Sequence, residues 1–437
     1  MKYYLIGIKG AGLSSLAVIL QNLGHEVAGY DDEKSYQFTE DKLVQNNIPV
    51  FTAPNDYLDE NTIVVRSAAI KDDHLEIIDA QSRNLKIYEY NEMLGEISRQ
   101  FQSITIAGTH GKTTTTSMLA LIINNTIGCN YLIGDGNGSA EVNNKIFVFE
   151  ACEYRRHFLL YDSYYSIITN IDLDHVDYYK DIEDVKNAFE EFANNTKKLI
   201  VAYGDDKYAK KLNVKTPILF YGINADNDIV AKNIEYSDQG MSFDMFIHNE
   251  FYHHFTLPLF GEHQLLNSLA VITICQDLGL DATTIEENLS KFQGAARRFS
   301  ETIINNNVVI DDYAHHPKEV EVTIQAARQK YPEKTLIPIF WPHTFSRTQE
   351  FHREISTSLN KGDVSFVLDV YPARENQNDY PNVTSHLIVD NLNNGRLLTD
   401  VNQLKNYDNA VFLFMSPKDI RNYRLKLIKH LEKEKKE

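Results

Sequence analysis

Residues 103–116 read Ser-Ile-Thr-Ile-Ala-Gly-Thr-His-Gly-Lys-Thr-Thr-Thr-Thr. A β-branched run meets two glycines, and a Lys-Thr pair then opens a helical stretch. A triphosphate site needs backbone N–H groups that approach phosphate oxygens closely, a lysine for the β/γ-phosphates and a hydroxyl for Mg²⁺. Gly108, Thr109, His110 and Gly111 form the loop, Lys112 supplies the ammonium and Thr113 the hydroxyl, at the positive end of the helix dipole. The common P-loop pattern wants glycine where Ile106 stands, so the match is partial. The competing reading is a plain glycine turn with a chance Gly-Lys-Thr. Strand–loop–helix context favours ATP or GTP.

Outward from this loop, KIFVFE (145–150), YSIITN (165–170) and KLIVAY (198–203) read as further strands. SFDMFIHNEFYHHFTL (242–257) reads as a hairpin turning near His248 and Asn249, and 263–280 as a long helix. Ligands gather at the carboxyl ends of strands in open parallel sheets. Glu150 and His175, from NIDLDH, are therefore candidate Mg²⁺ ligands beside Thr113, with Asp172, Asp174 and Asp177 as competitors. Helix capping is the bland alternative for all of these acids.

Upstream, KYYLIGI (2–8) reads as a buried strand running into Gly10-Ala-Gly12-Leu-Ser-Ser15, followed by Leu13, Leu16, Ala17, Leu20 and Leu23 at helical spacing up to Gly24. EVAGY (26–30), VVRSA (64–68) and KIYEY (86–90) complete a doubly wound unit. Gly10-x-Gly12-x-x-Ser15 nearly matches a dinucleotide fingerprint, and Asp31 stands where a ribose-binding acid belongs. Read alone, this suggests an NAD enzyme, although any diphosphate can use the same glycines. Together with a triphosphate loop it fits a ligase acting on a nucleotide-linked substrate.

Downstream, TIINNNVVIDD predicts a hairpin, Pro317 to about Lys330 a helix, and TLIPIF (335–340), VSFVLDV (364–370) and AVFLFM (410–415) strands. RLKLIKHLEKEKKE predicts an amphipathic surface helix at the end. The 437 residues suit about three domains: 1–98, 99–296 and 297–437. The expected fold is α/β, with a Rossmann-like unit, a central P-loop ATPase-type unit and a second Rossmann-like unit. With 61 acidic against 43 basic residues the formal charge is −18, which argues against nucleic acid or anionic lipid as partner. Three scattered cysteines and the absence of any run near the ~18 apolar residues of a membrane helix suit a reduced, cytoplasmic location.

GIKGAGLSSLA, AGTHGKTTTT, FEACE, NIDLDHVDYY, GEHQLLNSLA, FQGAARRF, DDYAHHPKEV and PHTFSRT, in this order, resemble the motif series of the Mur ligases of peptidoglycan synthesis. The resemblance spans nearly the whole chain. It looks closest to the member that joins L-alanine to UDP-N-acetylmuramate with ATP and Mg²⁺, as a monomer or homodimer. It implies that Gly10, Gly12, Ser14 and Ser67 hold the UDP-sugar, and that residues 108–114, Thr114 included, cradle ATP. It further implies that Thr113, Glu150 and His175 hold magnesium. Asn267 would lie near adenine, and Arg298 with Asp312 would complete the nucleotide site. His315, His343 and Arg347 would face the amino acid, His315 as proton acceptor. Taken singly, those last residues also read as ion-pair, helix-start or core residues.

Four positions depart from the family pattern: Gln264 for asparagine, Ala314 for glycine, Thr344 for arginine, and MSPKD (415–419) for a glycine-rich turn. A ligase attaching a preformed tripeptide to the same UDP-sugar, a non-ligating nucleotide-binding paralogue and an NAD oxidoreductase are the rival readings.

Overall fold

The computed structural model describes residues 1–437 apart from Phe38, Asp177, Ala296, Arg374 and 433–437. Asp177, one of the competing metal candidates, therefore lies outside the described residues, as does the end of the final helix, which runs over Arg421–Leu431.

Three sheets follow one another along the chain. The first is wholly parallel, in the order Val50–Phe51, Glu26–Tyr30, Lys2–Ile6, Thr62–Arg66, Lys86–Glu89. Its central strand is buried from Tyr3 to Ile6, as a parallel strand covered on both faces must be. The helix Ala11–Asn22 buries Leu13, Leu16, Ala17 and Leu20 and ends before Gly24, whose φ of 86° suits a residue without a Cβ.

The second sheet has ten strands. Gln102–Ala107 lies between Tyr165–Ile168 and Ile146–Glu150, all parallel, so their carboxyl ends share one edge. Two further strands that the sequence reading lacks, Asn130–Ile133 and Asn137–Ser139, extend it on one side. On the other side an antiparallel meander, Ile229–Ser237, Gly240–Ile247 and Glu250–Leu257, turns at His248 and Asn249, both at positive φ. The expected helix runs over Glu262–Asp277.

The third sheet runs Ser300–Ile304, Asn307–Asp312, Ala410–Met415, Thr335–Phe340, Ser365–Val367, Gly395–Leu397. Its first pair is the expected hairpin, and the remaining strands are parallel. The helix Pro317–Lys330 covers one face. The molecule is thus a three-part α/β protein with Rossmann-like sheets at either end.

Two expected strands shift. VVRSA becomes Thr62–Arg66, and the strand expected over 364–370 shortens to Ser365–Val367. Each of the first two units has a cluster of its own on one face of its sheet, and a further cluster is common to both. Leu13 and Leu16 share one buried cluster with Phe147, Phe149 and Phe158 of the second. Gly138 meets the first helix so closely that a Cβ there would lie 2.8 Å from the Ser15 carbonyl oxygen. The third unit carries its own clusters on the two faces of its sheet.

Candidate functional site

The phosphate loop leaves Ala107 at the carboxyl edge of the second sheet and enters the helix Lys112–Asn124. Gly108 has φ +142°, and a Cβ there would sit 1.9 Å from Thr169 Oγ1. Gly111 has φ +84°, with Asn267 Oδ1 3.0 Å from where its Cβ would be. Both positions therefore demand glycine. The neighbouring strand end fixes the rest of the loop. Asn170 accepts from the His110 N–H at 2.9 Å and donates to its carbonyl at 3.0 Å, and the Thr109 hydroxyl donates to the Asp172 carbonyl at 3.1 Å. Asn267, expected near adenine, sits against the loop at Gly111.

Thr113 donates to Glu150 Oε2 at 3.2 Å, and the Gly134 N–H donates to Oε1 at 2.6 Å. Burial raises the Glu150 carboxyl pKa, and the Gly134 N–H, Lys112 and Thr113 only partly oppose this. An enclosed carboxylate beside a threonine hydroxyl at a phosphate loop suits a hard divalent cation. The residues present fit Mg²⁺ on that ground.

Lys112 does not point at Glu150. Its ammonium donates to the carbonyls of Gly108 and Thr109 and pairs at 3.0 Å with Glu153, which is 3% exposed. Burial lowers the lysine pKa, but Glu153 outweighs it and holds the ammonium well above its usual range. Burial likewise opposes ionisation of Glu153, and Lys112 overcomes it. Glu153 also lies 3.6 Å from His175 Nε2, so it joins lysine and histidine in one chain. His175 sits at φ 52° with its ring 4.6 Å from Tyr154. Sequence reasoning missed Glu153. The signal was the second acid of FEACE, three residues beyond the strand end, where spacing alone does not say which way a side chain turns.

The third unit closes over this edge through buried polar contacts. Arg347 Nη2 donates to Asp174 Oδ1 at 3.0 Å, both side chains being at most 15% exposed. Arg347, after the opposing cost of burial, holds Asp174 far below the carboxylate range. Glu319 reaches His110 Nδ1 at 3.2 Å and His315 Nδ1 at 3.2 Å. Burial pushes His315 down to about 3, with Arg347 adding to the effect against the opposing Glu319, so the imidazole is neutral at physiological pH. Burial also lowers His316, to about 4, and raises Asp312 to about 6, where Arg298 opposes it. His343 pairs with Tyr371 across an isolated bridge, ring centroids 5.6 Å apart.

Arg298 lies over the Tyr313 ring at 4.8 Å, while Asp312 accepts from the Phe299 and Ala314 N–H groups, both at 2.8 Å. The MSPKD turn has a structural partner. Carbonyls of Ser416, Pro417 and Lys418 accept from the Arg297 guanidinium at 2.7–3.2 Å, so the turn is pinned by an arginine where glycines would leave it free. Thr344 has φ 71° and caps the helix Phe345–Leu359 by accepting from the Arg347 N–H.

A cleft of about 1280 Å³ runs between the second and third units, lined by Gly111, Asn267, His263, Arg298, Asp312 and Glu319 among others. Gly10 and Gly12 lie at the start of the first helix. A Cβ on Gly12 would come 2.9 Å from the Tyr90 ring. Ser67 closes the neighbouring strand end, donating its N–H to Ile6 O at 3.0 Å. Ser14 is 1% exposed and its hydroxyl donates to Ala11 O, so it is spent within its own helix. Asp31 likewise turns inward, accepting from the Lys9 and Glu33 N–H groups.

Comparison with known proteins covers all three units. Residues 2–102 match the Mur ligase family catalytic domain, 106–275 the Mur ligase middle domain and 297–419 the Mur ligase glutamate ligase domain. Among solved structures, the UDP-N-acetylmuramate–alanine ligase of Thermotoga maritima is 26% identical with a TM-score of 0.81, covering 99% of this chain and 100% of its own. A murein peptide ligase of Psychrobacter arcticus has the same fold at 22% identity and a TM-score of 0.71, covering 99% of each chain. The UDP-N-acetylmuramate:L-alanyl-γ-D-glutamyl-meso-diaminopimelate ligase of Neisseria meningitides is 25% identical over 68% of this chain and all of its own, with a TM-score of 0.59. No described helix is long and apolar enough to cross a membrane. Three sheets in this order, a lysine–threonine phosphate loop at the centre of the second and a third unit closing over it agree with all three domain matches: the chain belongs to the Mur ligase family.

Proposed function

We propose that this protein is an ATP-dependent ligase that joins L-alanine to the carboxylate of UDP-N-acetylmuramate. The observation that carries the reading is the convergence, at one sheet edge, of Lys112 and Thr113 with Glu150, Glu153 and His175, facing Arg347 and His315 of the third unit.

In this reading the muramate carboxylate attacks the γ-phosphorus of ATP, ADP leaves, and an acyl phosphate forms. The amine then attacks the acyl carbon, and phosphate departs as the amide closes. Two anions meet in the first step, so positive charge at the phosphoryl group is the main requirement. Lys112 supplies it on leaving its resting partner Glu153, and the N–H groups at the start of its helix add to it. Thr113, Glu150 and His175 would hold Mg²⁺, which when bound offsets charge on the phosphate oxygens. Neutral His315 can accept a hydrogen bond from the attacking amine, but a group held near 3 is a weak base, so the proton that the amine loses leaves with the departing phosphate and does not rest on the imidazole. Arg347, which pairs with Asp174, would receive the amino-acid carboxylate in this reading. Closure of the third unit keeps water from the acyl phosphate.

The second reading, a ligase for a preformed tripeptide on the same UDP-sugar, is supported by the likeness to a murein peptide ligase and to a UDP-N-acetylmuramate:L-alanyl-γ-D-glutamyl-meso-diaminopimelate ligase. Phosphate release from Mg-ATP and UDP-N-acetylmuramate decides between them when L-alanine, glycine, L-serine, the tripeptide or no amine is supplied. L-Alanine-dependent release with the UDP-muramoyl-alanine mass recovered supports the first reading. Tripeptide dependence moves the assignment to the second, and no release with any amine defeats both.

A further inference from the structure

His110, Asp172 and His316 form a cluster apart from the Thr113–Glu150 corner. One ring nitrogen of each histidine and a carboxylate oxygen of the aspartate lie within 4.8 Å of one another. The rings stand 4.5 Å apart between centroids, at 36°. Such a pair is usually held by hydrogen bonds, yet Nε2 of both rings is buried without a partner. His316 is 4% exposed. Buried polar atoms left unpaired cost about 1–3 kcal/mol each, so the arrangement calls for an occupant.

The surroundings are those of a ligand set. Glu319 Oε1 stands 3.2 Å from His110 Nδ1, which fixes the tautomer whose Nε2 lone pair faces the cluster. The His110 backbone is clamped by Asn170, and the Asp172 N–H donates to Thr109 Oγ1 at 2.9 Å. The His316 ring packs against Phe351 at 5.0 Å. Two imidazoles and a carboxylate suit borderline transition metals, whereas Mg²⁺ prefers oxygen donors. Three protein ligands also leave a fourth position open. Ligand bonds of about 2.1 Å place donors roughly 3.4 Å apart, so binding draws the cluster together by about an ångström.

We infer that His110, Asp172 and His316 bind a borderline divalent metal ion such as Zn²⁺ or Co²⁺, and that this ion latches the third unit onto the phosphate loop. His110 and Asp172 come from the second unit and His316 from the third, so the ion ties together surfaces that must part to release nucleotide. The inference does not depend on which amine the ligase uses.

The test is Co²⁺ titration of the full-length, metal-stripped protein in excess Mg²⁺, read by visible absorption of imidazole-bound Co²⁺, with Zn²⁺ competition. One equivalent is expected. The band should vanish in His316→Ala and in Asp172→Asn, each checked for folding by circular dichroism. Glu319→Gln, which loses only the carboxylate behind His110, should bind about 10–100-fold more weakly. His254→Ala removes an exposed rival histidine on the meander, paired with Asp244 at 2.7 Å, and should leave the band intact. Zn²⁺ should slow amide hydrogen exchange over 109–112 in the parent and not in His316→Ala. Absence of a band, a band that survives His316→Ala or one that disappears with His254→Ala would overturn the site. Unchanged exchange on Zn²⁺ binding would overturn the latch.

Discussion

The molecule uses the same strand–glycine–helix turn twice, and the two turns carry different lysines. In the first, Lys9 is buried, 5% exposed at the side chain, and its ammonium donates to the carbonyls of Glu33 and Ser35 and pairs with Glu40 at 3.0 Å. It staples the loop that follows the second strand, its ammonium spent on three partners within the first unit. In the second, Lys112 pairs with Glu153 at the sheet edge, within reach of Thr113 and Glu150. Backbone geometry alone makes both turns anion sites. The placement of acids around each lysine decides that one turn is a strut and the other the centre of phosphoryl chemistry.

Four experiments press on that contrast. Lys112→Ala should lower kcat at least about 10³-fold, a barrier increase near 4 kcal/mol, while UDP-N-acetylmuramate binding, followed by calorimetry, persists. Loss of both would mean that the lysine is a strut too. Gly108→Ala should abolish ATP binding and cost about 1–3 kcal/mol of stability, because its Cβ would strike Thr169 Oγ1 at a φ that disfavours side chains. Unaltered nucleotide affinity would show that the loop can relax.

Lys9→Met should cost about 1–3 kcal/mol in denaturant unfolding, through unpaired carbonyls and Glu40, with kcat little changed at saturating substrate. A kcat loss matching that of Lys112→Ala would erase the distinction. The smallest effect is in acid. Glu153 ionises more readily folded than unfolded, so it adds stability above the ordinary carboxylate range that is lost as pH falls through its lower folded value. Between pH 6 and 3 the parent should therefore lose more melting temperature than Glu153→Gln. Parallel curves would mean that the pair contributes nothing to folding.

Much of the site was legible because its pieces are local. Gly108, Gly111, Lys112 and Thr113 lie within six residues, and Glu150 and Thr113 meet because parallel strands bring their ends to one edge. Glu153 was not legible, because it lies beyond its strand, before the short helical turn Tyr154–Leu160. The same limit hid the inward turn of Ser14 and Asp31 and the Arg297 clasp on the 416–418 carbonyls, which joins residues some 120 apart in sequence. Short strands such as Asn137–Ser139 escaped because three residues carry no period and hold only by pairing.

By itself, then, the sequence determined the alternation of strands and helices, the glycines at turns of positive φ, and the residue types able to bind phosphate and cation. These depend on nearest neighbours along the chain. Only the tertiary structure decided which acid each lysine meets, that the first two units join through a shared buried cluster, and that His110 faces His316 across the seam. Electrostatic partnership depends on distance in space, and burial sets its strength, neither of which a spacing along the chain contains.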